Sequence, residues 1–120
     1  YEGDDYFASA RLTRQQARDS AISLLEDAAK QEDADQSVAN QASERIQVLA
    51  SYTLKEAQIE NLVTAKGYQD CVAFMGDDSL SIVVSTKDGE LNATDVAKIT
   101  DIAMTETGYA ANAIRIMAAN

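Results

Sequence analysis

The sequence contains no histidine, no proline and no tryptophan, and its 120 residues include a single cysteine. Without histidine there is no Ser-His-Asp or Cys-His arrangement, the commonest general base is missing, and most zinc and copper sites cannot be built. One cysteine cannot close an internal disulfide, so the redox compartment stays open. Cationic side chains are scarce: 10 Lys plus Arg stand against 20 Asp plus Glu, for a net charge of −10. That balance argues against nonspecific nucleic-acid binding, which needs a basic footprint to displace counterions, and against docking on an anionic membrane surface. No run approaches the ~18 apolar residues of a membrane span, and no signal peptide is present. The sequence starts at Tyr1 rather than Met, and reads as an excised fragment of a longer protein.

What is present is helix, then strand. Asp4 or Asp5 can cap a first helix running to about Lys30. Ala10, Ala17, Ala21, Leu24 and Ala28 recur on one face, which Leu25 widens. About 25 helical residues span about 38 Å, whereas a compact domain of this length has a radius of gyration of about 14 Å. The first helix is therefore expected to project or to find a partner along its length. Gln31 to Gln36 forms an acidic connection in which Asp33 or Asp35 caps a second helix, with Val38, Ala42, Ile46 and Leu49 inward. The two helices read as an antiparallel hairpin. Thr53-Leu54-Lys55-Glu56 matches a capping box that would start a third helix, with Ile59, Leu62 and Val63 inward and Gly67-Tyr68 at its end.

The period then changes. Cys71 to Met75 and Leu80 to Ser85 are β-type runs joined by a turn at Gly76 to Ser79. After a second turn at Lys87 to Glu90, Asn92 caps a further helix, with Asp95 as its third residue, Val96, Ile99, Ile102 and Ala103 inward, and Gly108-Tyr109 at its end. A last strand, Ala113 to Met117, turns Ile114 and Ile116 inward. The fold class is α+β: an N-terminal helical hairpin with a long first helix over 1–52, then an αββαβ unit with a three-stranded sheet over 53–120, together one compact domain.

Few residues suggest chemistry. The acids lie in caps, connections and exposed helix faces, Asp77 and Asp78 read as turn residues without EF-hand spacing, and single glycines build no phosphate loop. No catalytic, cofactor-binding or metal-ligating residue stands out, and no cofactor is expected. Cys71 reads as a buried small hydrophobe. Arg11, Arg14 and Arg18 fall within about 60° on one helix face. Arg11 to Arg18 carries +3, whereas Asp19 to Glu44, with seven acids and one Lys, carries −6. The stripe can pair with acids elsewhere in the chain or meet an anionic partner. Two helices cover one sheet face. The other face is expected to hold Cys71, Ala73, Met75, Val83, Arg115 and Met117, a mixture too apolar for solvent alone. The hairpin can cover it, or a partner can. Candidate partner contacts are Arg11, Arg14, Arg18, Met75, Val83, Arg115 and Met117, together with the strand edges near Met75 and Met117.

The αββαβ order resembles the KH RNA-binding fold, but the Gly-x-x-Gly clamp is missing and the charge is wrong. It is more similar to the ring-building motif of secretion-system and flagellar basal-body ring proteins. The stretches DDYFASARLTRQQARDSAISLLEDAA, TLKEAQIENLVTAKGYQDCVAFMGDDSLSIVV and DVAKITDIAMTETGYAANAIRI resemble the stage III sporulation protein AH family of endospore-forming bacteria. The KGYQD turn entering a strand is the most specific of these. The resemblance implies a noncatalytic interaction domain, anchored in the mother-cell membrane through an N-terminal segment that is missing here. It would lie between mother cell and forespore, bind the ectodomain of stage II sporulation protein Q, self-associate into rings and contribute to a channel-like complex. The alternatives are a carboxylate-dependent hydrolase and a cytosolic helical adaptor.

Overall fold

The computed structural model describes residues 2–31, 33 and 35–119, with side chains from Tyr6 onward. Helix α1 (Glu2–Lys30) leads through a short connection to helix α2 (Gln36–Ala65). Strands β1 (Cys71–Met75) and β2 (Leu80–Ser85) follow, then helix α3 (Ala93–Thr107), a 3-10 turn at Ala111–Ala113, and strand β3 (Ile114–Ala119). The α+β architecture and the helical hairpin are those expected. The molecule measures 55 × 32 × 20 Å.

Several local features follow directly from residue type. Asp35 caps α2 by accepting from the Val38 N–H. Asn92 and Asp95 form a reciprocal capping box at the start of α3. Gly67 (φ 107°) and Gly108 (φ 75°) turn the chain out of α2 and α3 in the left-handed region that side chains disfavour.

Three expectations about the helices are corrected. Helix α1 begins at Glu2, so Asp4 and Asp5 lie inside it rather than at its cap; their side chains lie outside the described residues. The second and third helices are one rod, Gln36–Ala65, that crosses position 53 without a break. Thr53 does not cap: its hydroxyl donates back to the Leu49 carbonyl at 3.2 Å and accepts from Arg18 at 3.1 Å. Glu56 turns into the protein instead of reaching back to Thr53. Finally, the seam by which α1 meets the rest runs through Phe7, Arg11, Arg14, Arg18, Ala21, Leu25 and Ala28, at alternating four- and three-residue steps. Ala17 and Leu24 are exposed, as are Val38, Leu62 and Val96, all expected inward.

The sheet order is β1-β2-β3, with β1 antiparallel and β3 parallel to β2. Helices α2 and α3 cover one face. There Ile59, Val63, Ile99 and Ala103 pack on Cys71, Ala73, Leu80, Ile82 and Val84, with Met75, Ile114 and Ile116 at the margin. The hairpin register pairs Cys71 with Val84, Ala73 with Ile82 and Met75 with Leu80. Cys71, Ala73 and Met75 therefore belong to this core face, not to the outer face expected for them. The outer face takes Val72 and Phe74 from β1, Val83 from β2, and Arg115 and Met117 from β3.

On that outer face Phe7 of α1, 1% exposed, lies over Val72 and Val83, with Ala10, Phe74 and Ala119 around it. Burying one phenylalanine contributes about 1.5–3 kcal/mol. It docks α1 against the sheet at the β1 side, and among the described residues nothing covers Arg115 and Met117 of β3.

Candidate protein-interaction surface

The two edges of the sheet are chemically opposite. In an antiparallel pair alternate residues turn their backbone groups away from the neighbouring strand. On β1 these are Cys71, Ala73 and Met75. Side chains from α1, from α2 and from the loop before β1 meet every such group from the Cys71 N–H to the Met75 N–H. Asp70 accepts from the Cys71 N–H at 2.8 Å, and Arg11 donates to the Cys71 carbonyl at 2.7 Å. Glu60 accepts from the Ala73 N–H at 2.9 Å, and Arg14 donates to the Ala73 carbonyl. Glu56 accepts from the Met75 N–H at 2.7 Å.

The donors and acceptors also pair with each other. Arg11 binds Asp70, Arg14 binds Glu60 at 2.6 Å, and Arg18 holds both carboxylate oxygens of Glu56. The result is a three-rung ladder lying along β1 as a neighbouring strand would. Spacing makes the match: three to four helical residues rise about 4.5–6 Å, and two strand residues advance about 6.6 Å. Flexible side chains absorb the difference. Glu56 is fully buried, and Arg14 and Arg18 are 17% and 14% exposed. A buried carboxylate is tolerated because two guanidiniums and one N–H surround it.

Arg11, Arg14 and Arg18 are thus brought together, but on the inward seam of α1. The Asp77 turn is tied down separately. Tyr52 and Arg45 both donate to its carboxylate, the arginine at 2.8 Å, and the Tyr109 hydroxyl donates to the Gly76 carbonyl at 2.6 Å. These hydrogen bonds, the tyrosine first, lower the Asp77 pKa, and hydrogen bonding to Asp77 with burial raises Tyr52 to about 12. Burial and Asp95 likewise raise Tyr68 to about 12. Burial above all pushes the Cys71 thiol up to about 12, which keeps it protonated and unreactive.

The β3 edge differs. In the parallel register Ile82 stands opposite Ile116 and bonds to the residues flanking it, so Ile116 and Ala118 turn their backbone groups outward. Among the described residues those groups have no hydrogen-bond partner. Beside this edge, on the outer face, Arg115 is exposed and Met117 is 40% exposed. Val83 is buried beneath Phe7 and Met75 lies at the core margin. Sequence reasoning missed Phe7, Glu56 and Glu60. Their signal was present in the four- and three-residue steps from Phe7 through the arginines, and in acids spaced to face them.

Among the described residues no group of three acids or cysteines is placed to hold a metal, and no helix is long and apolar enough to cross a membrane. Glu56, Glu60 and Asp70 do converge, but each is held by an arginine and a strand N–H rather than facing an open cleft.

A family profile for SpoIIIAH-like proteins matches residues 1–116. The chain belongs to the SpoIIIAH-like family. Among solved structures it is similar to a chain of the SpoIIQ–SpoIIIAH pore-forming complex. That pair is 20% identical with a TM-score of 0.78, over 95% of this chain and 98% of the other. It is also similar to EscJ, a type III secretion system protein of enteropathogenic E. coli, at 22% identity and a TM-score of 0.56. Here the match covers 75% of this chain and 59% of EscJ. A search of curated proteins finds no match. At these identities the two structural likenesses establish a shared fold, and SpoIIIAH-family membership identifies the chain as a sporulation interaction domain.

Proposed function

We propose that this SpoIIIAH-family chain is a noncatalytic assembly domain that binds SpoIIQ and contributes to a channel-like complex between mother cell and forespore, held to the mother-cell membrane by a segment outside this sequence. The observation that carries the reading is family membership combined with a sheet whose β3 side is open, both along its edge and on its outer face. The similar SpoIIIAH chain was solved as part of a complex with SpoIIQ, which supports SpoIIQ as the partner. Self-association is added to the reading because the αββαβ order resembles the ring-building motif, a fold shared with EscJ.

Arg115 and Met117 are the contacts put forward, because they are exposed beside the open edge. Arg11, Arg14, Arg18, Met75 and Val83 are engaged inside the chain and enter as supports of the surface. The test is capture of this domain by an immobilised SpoIIQ ectodomain, read as a dissociation constant. Arg115→Glu with Met117→Ala should weaken binding at least ~10-fold, the loss expected from removing an anchor residue, with the melting temperature unchanged. Wild-type protein that does not bind the ectodomain would remove the reading.

A further inference from the structure

A sheet with two open edges is a hazard for a protein that assembles. If β3 of one copy could pair with β1 of the next, the contact would be head-to-tail and need not close, and it would propagate into a fibre. Among the described residues the β3 edge is open at Ile116 and Ala118, whereas the β1 edge is occupied from the Cys71 N–H to the Met75 N–H by the chain's own side chains. Ordinary devices for blunting an edge are absent from β1: it carries no proline, no charge and no bulge, and its residues, Cys-Val-Ala-Phe-Met, are apolar throughout. Bare, it would be an adhesive strand.

We propose that the ladder of Arg11, Arg14 and Arg18 with Asp70, Glu60 and Glu56 is an edge guard, which keeps β1 from pairing with a strand of a second copy of this chain and confines strand addition to the β3 edge. Three features fit a guard better than simple helix docking. The ladder meets the Cys71 and Ala73 carbonyls as well as three N–H groups, so an incoming strand is left with only the Met75 carbonyl at the strand's end. Its members come from α1, α2 and the loop before β1, so no single element can move away and bare the edge. The charges cancel three against three, so the guard itself attracts no charged partner.

The test replaces the middle rung without changing net charge. Arg14→Leu with Glu60→Leu leaves both backbone groups of Ala73 unpaired, and this variant should self-associate at concentrations where the wild type sediments as a monomer or small closed oligomer. Adding Ala73→Pro to that variant removes the exposed N–H on the side away from β2 and should restore wild-type sedimentation. A folded double variant that sediments as the wild type, or association that persists with proline at 73, overturns the proposal. Should the double variant fail to fold, wild-type amide exchange decides. The Ala73 and Met75 amides should exchange at least ~100-fold more slowly than those of Ile116 and Ala118, as occupied and open edges differ in local protection. Equal rates overturn it.

Discussion

Arg14 and Glu60 hold both outward backbone groups of one residue: Glu60 accepts the Ala73 N–H, Arg14 donates to the Ala73 carbonyl, and the two meet each other at 2.6 Å. The ion pair is thus part of the sheet's hydrogen bonding rather than decoration on a helix surface, and disturbing it should be felt as loss of strand β1.

Glu56 is the most sensitive member. Glu56→Leu leaves Arg14 and Arg18 without their shared, buried counter-charge and should cost about 3–5 kcal/mol, the usual result of breaking a buried pair from one side. Glu56→Gln retains an acceptor for the Met75 N–H and should cost less. Urea denaturation with constant m-value checks both.

Phe7→Ala removes the one large side chain with which α1 caps Val72 and Val83. A loss of about 3–5 kcal/mol is expected. Amides in the first half of α1 should then exchange faster while those of α3 keep their protection.

Tyr52 and Tyr68, each raised to about 12, should titrate well above the ordinary tyrosine value near 10 in the folded protein. Because the folded value is the higher one, their contribution to stability is complete below pH 10 and is lost as pH rises from 10 through about 12. Ultraviolet titration of Tyr52→Phe and Tyr68→Phe identifies the two late steps. Asp77 and Asp95 act in the opposite direction. Their folded values are lowered, so their contribution is present above the ordinary carboxylate pKa and fades on acidification through the lowered values.

Cys71 is fully buried with its thiol pushed to about 12. A thiol reagent at neutral pH should react only as fast as the sheet opens, and immediately in denaturant. Reaction of folded protein at the free-thiol rate would contradict the placement.

The sequence made the strands and the α3 capping box legible because the signals are local: alternation of Leu80, Ile82 and Val84, and Asn92 three residues before Asp95. It misled where one signal had two uses. Thr53 and Glu56 spell a capping box, yet Glu56 is needed by Arg18, so the helix runs on. The face on which β1 turns Cys71 and Met75 depends on the hairpin register with Val84 and Leu80, which alternation alone leaves open. The arginine stripe was visible, but its carboxylates lie 38 to 59 positions away in the chain, beyond any local pattern. Phe7 follows Tyr6 outside any long apolar run and becomes meaningful only once the sheet face it covers exists.

The unbroken α2 also has a mechanical meaning. Its 30 residues extend about 45 Å at 1.5 Å each. Near its middle, Tyr52 and Arg45 hold the turn between β1 and β2. The acidic far end of the hairpin and the sheet are therefore joined by a beam without a joint. A pull or tilt applied at that end reaches the Asp77 turn as rigid rotation, so the hairpin can set the angle of the open β3 edge from a distance.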